Sequence, residues 1–65
     1  MTYTDYLNYL KAKHQEFASE FPGYSKQRIG LIVQRYEYNH GYQMDYATEC
    51  RVWRDYFDWV CERWE

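Results

Sequence analysis

The stretch that most constrains the fold is an amphipathic run over 45–64, which contains neither proline nor glycine. At about 100° per residue its apolar positions predict a helix of about 30 Å, for which Asp45 is a suitable N-cap. The predicted buried stripe comprises Tyr46, Cys50, Trp53, Phe57, Val60, Cys61 and Trp64. A helix with such a stripe needs other elements to cover it.

Two earlier stretches repeat the three- and four-residue spacing of apolar positions. The first predicts a helix over 4–21, capped by Thr2 or Thr4 and ended by Pro22. The second predicts a helix over 26–39, capped by Ser25, although a strand over 29–36 competes with it. The predicted buried positions are Tyr3, Leu7, Leu10, His14, Phe17 and Phe21 on the first helix, and Ile29, Ile32, Val33 and Tyr36 on the second. Short connections favour antiparallel neighbours, so the sequence predicts an all-α three-helix bundle, one domain over 1–65.

Composition explains how so short a chain builds a core. Sixty-five residues lie near the lower limit for a domain without disulfides or metals, but nine Tyr, three Trp and three Phe are present. Each aromatic side chain buries roughly 150–250 Å². A few of them are therefore enough to form a core, and tyrosine tolerates partial exposure.

A second row on the C-terminal helix is turned away from the predicted stripe. It consists of Val52, Tyr56, Trp59 and Arg63, and the outer side of the second helix adds Leu31, Arg35 and Tyr38. Trp, Tyr and Arg dominate the energetics of protein interfaces. We therefore expect these seven residues to form a partner-binding surface, unless the first helix covers the row.

The two cysteines, Cys50 and Cys61, are three helical turns apart, or about 16 Å. A disulfide requires Cα atoms within about 7 Å, so they cannot pair within one chain. We expect two buried free thiols, with an intermolecular disulfide or a reactive thiol as the alternative.

The sequence offers no chemistry of an enzyme or a metal protein. It has no glycine-rich phosphate loop and no recognisable nucleophile setting. His14 and His40 are too far apart for a structural zinc site, so we expect a hydrogen-bonded core His14 and a capping His40. The expected protein is not an enzyme and carries no cofactor.

A nucleic-acid interface is the runner-up. Arg28 and Arg35 lie on the outer face of the second helix, in a segment (22–44) that carries a net charge of +2. If the second and third helices formed a helix-turn-helix, however, the recognition helix would lie in the segment over 45–65. The net charge of that segment is −3, which is unfavourable beside phosphates.

The function predicted is binding to another protein. No apolar run approaches the roughly 20 residues of a membrane span, and the first residues lack the pattern of a signal peptide, so a cytoplasmic location away from membranes is expected. Small size and an aromatic surface fit an inhibitor or adaptor of the kind that phages and mobile elements encode. A homodimeric structural subunit, in which the partner is a second copy, is a further alternative.

Overall fold

Three helices form the fold. A computed structural model describes residues 2–39 and 45–63, except for the side chains of Asn39 and Arg63. The helices are α1 (Tyr3–Glu20), α2 (Lys26–Asn39) and α3 (Tyr46–Arg63). They confirm the predicted all-α three-helix bundle, with helix ends within one residue of the prediction wherever those ends are described. The predicted roles of His40 and Trp64 lie outside the described residues.

Local hydrogen bonds explain where the helices start. Thr2 Oγ1 and Ser25 Oγ each accept from the backbone N–H three residues later, at 3.1 and 3.2 Å. Asp45 accepts from the backbone N–H and the hydroxyl of Thr48, at 3.0 and 2.7 Å. These bonds hold the pKa of Asp45 below its usual value. All three predicted N-caps are confirmed, and each satisfies a donor that a helix start leaves free.

Contacts between the helices define their directions. Tyr6 of α1 packs against Trp53 of α3, and further along α1 His14 packs against Trp59, so these two helices run parallel. The ammonium of Lys26, at the start of α2, donates to the carbonyl of Cys61, near the end of α3, at 2.9 Å. The helix α2 therefore runs antiparallel to its neighbour, and the chain has an up-down-up order.

The core lies along the shared axis of the three helices. Its buried apolar residues are Tyr6, Leu10, Ile29, Val33, Val52, Tyr56 and Val60, and the buried polar residues are His14 and Glu37. The predicted stripes of α1 and α2 are correct in Leu10, His14, Ile29 and Val33, and their remaining members lie half-buried at the margin.

The predicted stripe of α3 is correct in Val60, which is fully buried, and in part in Trp53 and Phe57, which pack half-buried against the core. Its other described members are wrong, because the core direction lies about 90° around the helix from the centre of the stripe. Cys50 and Cys61 are exposed free thiols, and Tyr46 is 81% exposed. The core centres instead on Tyr56, between the fully buried aliphatic side chains of Val52 and Val60. Thiols tolerate water better than valine, so counting Cys50 and Cys61 as equally apolar turned the predicted face toward the thiols.

A close approach between α2 and α3 is made possible by Gly30. A Cβ at this position would lie 2.7 Å from Cε1 of Phe57, so the ring occupies the space that a side chain would fill. The glycine weakens the helix locally but lets the ring pack on the α2 backbone. None of the described helices has the length and hydrophobicity needed to cross a membrane.

Candidate protein-binding surface

The aromatic row predicted on α3 is mostly buried where its side chains are described. Val52 and Tyr56 are completely buried, and Trp59 is half-buried. The side chain of Arg63 lies outside the described residues. The expectation that this row is exposed is therefore wrong for Val52 and Tyr56. The alternative, that the first helix covers the row, is what the structure shows for its described side chains.

A polar contact between α1 and α3 explains why the row on α3 is covered. Nδ1 of His14 lies 2.7 Å from the hydroxyl of Tyr56, and the indole of Trp59 packs edge-on against the imidazole at a centroid distance of 5.5 Å. Burial lowers the pKa of His14 and raises that of Tyr56, so both groups are held neutral. The predicted hydrogen-bonded core His14 is confirmed, and it accounts for a tyrosine in the middle of the core.

A second buried polar cluster was missed by the sequence analysis. Glu37 is 3% exposed, and its carboxylate accepts hydrogen bonds from Tyr6 Oη at 3.3 Å and Tyr9 Oη at 2.8 Å. Burial and the neighbouring carboxylate raise the pKa of Tyr9. The signal in the sequence was position, since Glu37 follows Val33 by four residues on the buried side of α2. Its charge is turned inward, which removes the carboxylate from the outer face of that helix.

The outer face of α2 is where exposed apolar and cationic side chains meet. We call it the α2 surface, and it comprises Tyr24, Arg28, Leu31, Arg35 and Tyr38. Leu31 is 59% and Tyr38 is 83% exposed, whereas most of the large apolar side chains that the structure describes are at least half-buried. The structure thus brings together three residues predicted for protein binding and both arginines predicted for nucleic acid. Tyr24, which follows the Pro22–Gly23 turn, was not predicted.

The geometry of the α2 surface is that of a shallow, open depression. The guanidinium of Arg28 lies over the ring of Tyr24, with its carbon 4.4 Å from the ring centroid. Ile32 and Gln34 complete the lining, and none of the described lining residues is acidic. The depression therefore offers two guanidinium groups beside apolar carbon, with no carboxylate in its lining to compete for them.

Such an arrangement is suited to binding. Guanidinium groups pair with carboxylates through two parallel hydrogen bonds, and exposed Tyr and Leu side chains gain free energy when a partner removes them from water. Across the described residues, no group of three or more His, Cys, Asp or Glu side chains is placed to hold a metal ion.

Comparison with protein-family models, curated proteins and solved structures found no match.

Proposed function

We propose that this protein is a binding module that docks on another protein through the α2 surface. The observation that carries the proposal is the exposure of Leu31 and Tyr38 on one stripe of α2, flanked by Arg28 and Arg35. Contiguous exposed patches of this composition mark interaction sites. This surface replaces the one predicted on α3, and attachment to a larger protein by one helix face is how an inhibitor or adaptor would act.

The charges of the α2 surface specify the partner's chemistry. Two exposed arginines without a carboxylate among them favour an acidic partner surface, and Leu31 and Tyr38 favour apolar groups beside those acids. An amphipathic segment with Asp or Glu next to Leu, Met or Phe satisfies both requirements. Lys26 is engaged elsewhere by its bond to the Cys61 carbonyl, so the two arginines supply the charge.

The test uses matched substitutions on two helices. Tagged wild-type protein, Tyr38→Ala and Tyr46→Ala are incubated with a cell lysate, and proteins retained on each are identified by mass spectrometry. Tyr46 is the control, because it is 81% exposed on α3 and loses the same atoms. A specific partner is retained by the wild type and by Tyr46→Ala but not by Tyr38→Ala.

The partner is then purified and titrated calorimetrically. Truncation of Tyr38 is expected to weaken binding by about 2 kcal/mol or more, the size expected of an interface hot spot. Arg35→Ala is expected to weaken it at low salt, while Arg54→Ala on α3 leaves it unchanged. If partners are retained equally by both tyrosine variants, the α2 surface is not the binding site.

Nucleic acid is the second candidate, and the exposure of both Arg28 and Arg35 on α2 favours it. Two phosphate contacts would give a slope of about −1.8 in log K against log salt concentration for duplex DNA. In a gel-shift titration, sequence-selective binding that Arg28→Ala and Arg35→Ala abolish would favour this function. Binding that requires Leu31 and Tyr38 but no nucleic acid would favour the protein partner.

A further inference from the structure

The outer face of α3 carries two exposed thiols among exposed charged side chains. We call it the α3 face, and its members all lie exposed within about 120° of the helix circumference. They are Cys50, Arg51, Arg54, Asp58, Cys61 and Glu62.

The two thiols of the α3 face are placed for reaction between molecules. Both are free and exposed, and both point to nearly the same side of α3. Their separation of about 16 Å prevents a bond within one chain. Another molecule can reach each of them from solvent.

The charges of the α3 face are divided between its two halves. Arg51 and Arg54 lie in the N-terminal half, and Asp58 and Glu62 lie in the C-terminal half. A parallel copy of α3 would place like charges against each other, which is unfavourable. An antiparallel copy places Arg54 beside Asp58 on both sides of a two-fold axis. The face is therefore complementary to itself in one orientation.

We infer that the α3 face binds the α3 face of a second copy in an antiparallel arrangement, and that two reciprocal disulfides between Cys50 and Cys61 lock the dimer. The axis passes between residues 55 and 56, so the cysteines lie at equal distances on either side of it. Any register that brings Cys50 opposite Cys61 of the second copy brings the other pair together by symmetry.

The dimensions of packed helices allow these bonds. With helix axes 8–10 Å apart, Cα atoms that face each other directly come within roughly 3.4–5.4 Å, and the upper part of that range overlaps the distance that a disulfide spans. The crossing angle must be shallow, because a steep crossing separates the ends where the cysteines lie. In this register Arg54 also lies opposite Phe57 of the second copy, a half-exposed ring that it can cover.

Oxidised glutathione supplies the chemistry by thiol–disulfide exchange. The Cys50 thiolate attacks one glutathione sulfur, and the other glutathione leaves as a thiol. The Cys61 thiolate of the second copy then attacks the Cys50 sulfur and releases the second glutathione. Two interchain disulfides consume two oxidised glutathione molecules and produce four reduced ones. One helix face is small beside the roughly 800 Å² per partner of a standard interface, so the disulfides provide the lasting link.

The experiment treats the purified reduced chain with oxidised glutathione and measures intact mass without reductant. The expected product is a covalent dimer that has lost four hydrogens. After trypsin digestion, the expected disulfide-linked peptides all join Cys50 to Cys61. Linked pairs of identical cysteines, or monomers capped with glutathione as the final product, would overturn the inference.

Single-cysteine variants distinguish this arrangement from random oxidation. Cys50→Ser and Cys61→Ser are expected to remain monomeric when oxidised separately. An equimolar mixture, with one variant labelled with ¹⁵N, is expected to give dimers that contain one labelled and one unlabelled chain. Dimers forming as fast from either variant alone would rule out the antiparallel register.

Charge exchange tests the noncovalent contact. Arg54→Glu is expected to slow dimer formation roughly threefold or more at low salt, and the double variant Arg54→Glu, Asp58→Arg to restore the rate. Arg35→Glu on α2 is the matched control and should leave the rate unchanged. An unchanged rate in Arg54→Glu would overturn the interface. None of these residues except Arg35 belongs to the α2 surface, so this inference and the proposed function succeed or fail separately.

Discussion

His14 and Tyr56 are joined by a polar contact in the middle of the bundle, with Nδ1 2.7 Å from the phenol oxygen and both side chains fully removed from solvent. The contact ties α1 to α3 at the point where their apolar side chains meet. A buried polar pair of this kind costs little when satisfied and about 1–3 kcal/mol when one partner is removed. It makes the core of this protein sensitive to pH.

Acidification is expected to destabilise the fold through His14. Burial lowers the pKa of this imidazole below its ordinary value of 6.5, so the unfolded chain takes up a proton before the folded chain does. The contribution of His14 is thus fully retained above pH 6.5. It decreases as the pH falls from 6.5 toward the folded pKa, by at most about 1.4 kcal/mol per pH unit. Urea unfolding between pH 5 and 8 measures this slope.

Two variants isolate the imidazole from other titrating groups. In His14→Gln the difference in stability from the wild type should vary with pH over the same window, because the variant has lost the titrating group. Tyr56→Phe keeps the imidazole, so it should remain acid-sensitive while losing about 1 kcal/mol from the missing hydrogen bond. Identical pH profiles for wild type and His14→Gln would show that His14 does not control acid stability.

Trp59 and Tyr38 are expected to respond in opposite ways to truncation. Trp59 is half-buried against His14 and Tyr56, at centroid distances of 5.5 and 6.2 Å, and the Lys11 ammonium lies over its ring. Trp59→Ala should therefore cost about 1–3 kcal/mol of unfolding free energy, less than a fully buried tryptophan. Tyr38→Ala should change stability by less than about 0.5 kcal/mol, since the ring is 83% exposed. Chemical denaturation of both variants measures these free energies of unfolding. Equal losses of unfolding free energy would contradict the assignment of Trp59 to the core and Tyr38 to the surface.

The three helices could be predicted from this sequence because their signals, an N-cap followed by apolar residues at helical spacing, are local. Thr2, Ser25 and Asp45 each precede an apolar period of three to four residues, and a cap needs only its own next turn. The outward side of α2 was also predictable, because Arg28, Leu31, Arg35 and Tyr38 recur at helical spacing opposite Ile29 and Val33. These features depend on one helix alone.

The inward side of α3 could not be decided in the same way. Its apolar arc is so wide that either the Cys50–Cys61 side or the Val52–Tyr56 side could have faced the core. The choice depends on α1, where His14 provides a partner for the Tyr56 hydroxyl. The spacing of apolar residues within one helix does not reveal such contacts with residues of another helix. Glu37 was missed for the same reason, since its tyrosine donors lie on α1.

Alkaline conditions are expected to unfold the protein through Tyr9 and Tyr56. Burial and the Glu37 carboxylate raise the pKa of Tyr9, and burial raises that of Tyr56. Above pH 10 the unfolded chain loses these protons while the folded chain keeps them, so stability falls as the pH rises. Absorbance of phenolate at 295 nm and circular dichroism should show that these two tyrosines ionise only as the helices unfold.

The variant Tyr9→Phe tests the contribution of Glu37 to this behaviour. It removes the 2.8 Å bond to the carboxylate, and the loss of a hydrogen bond to a charged group should cost roughly 1.5–3 kcal/mol at pH 7. Because the variant lacks the Tyr9 hydroxyl, whose pKa is raised in the folded protein, it should also lose less stability between pH 10 and 11 than the wild type does. A wild-type pH profile in Tyr9→Phe would mean that Tyr9 has no part in alkaline unfolding.

Gly30 and Phe57 are expected to be energetically coupled across the contact between α2 and α3. Alanine is a better helix former than glycine by about 1 kcal/mol, so Gly30→Ala would stabilise an isolated helix. In this protein the new Cβ would lie 2.7 Å from Cε1 of Phe57, and relief of such overpacking costs roughly 1–3 kcal/mol. The variant should therefore be less stable than the wild type by about 1 kcal/mol.

A double-mutant cycle separates this steric effect from helix propensity. Leucine at position 57 ends at its δ carbons, and the corresponding Cδ1 of the ring is 3.4 Å from the added Cβ, which leaves only a tight contact. In the Phe57→Leu background, Gly30→Ala should consequently stabilise the protein by up to about 1 kcal/mol. Its effect thus changes sign between the two backgrounds, and urea denaturation of the four proteins measures the coupling. The same effect of Gly30→Ala in both backgrounds would show that the ring does not constrain the glycine, and that α2 and α3 approach less closely than this contact requires.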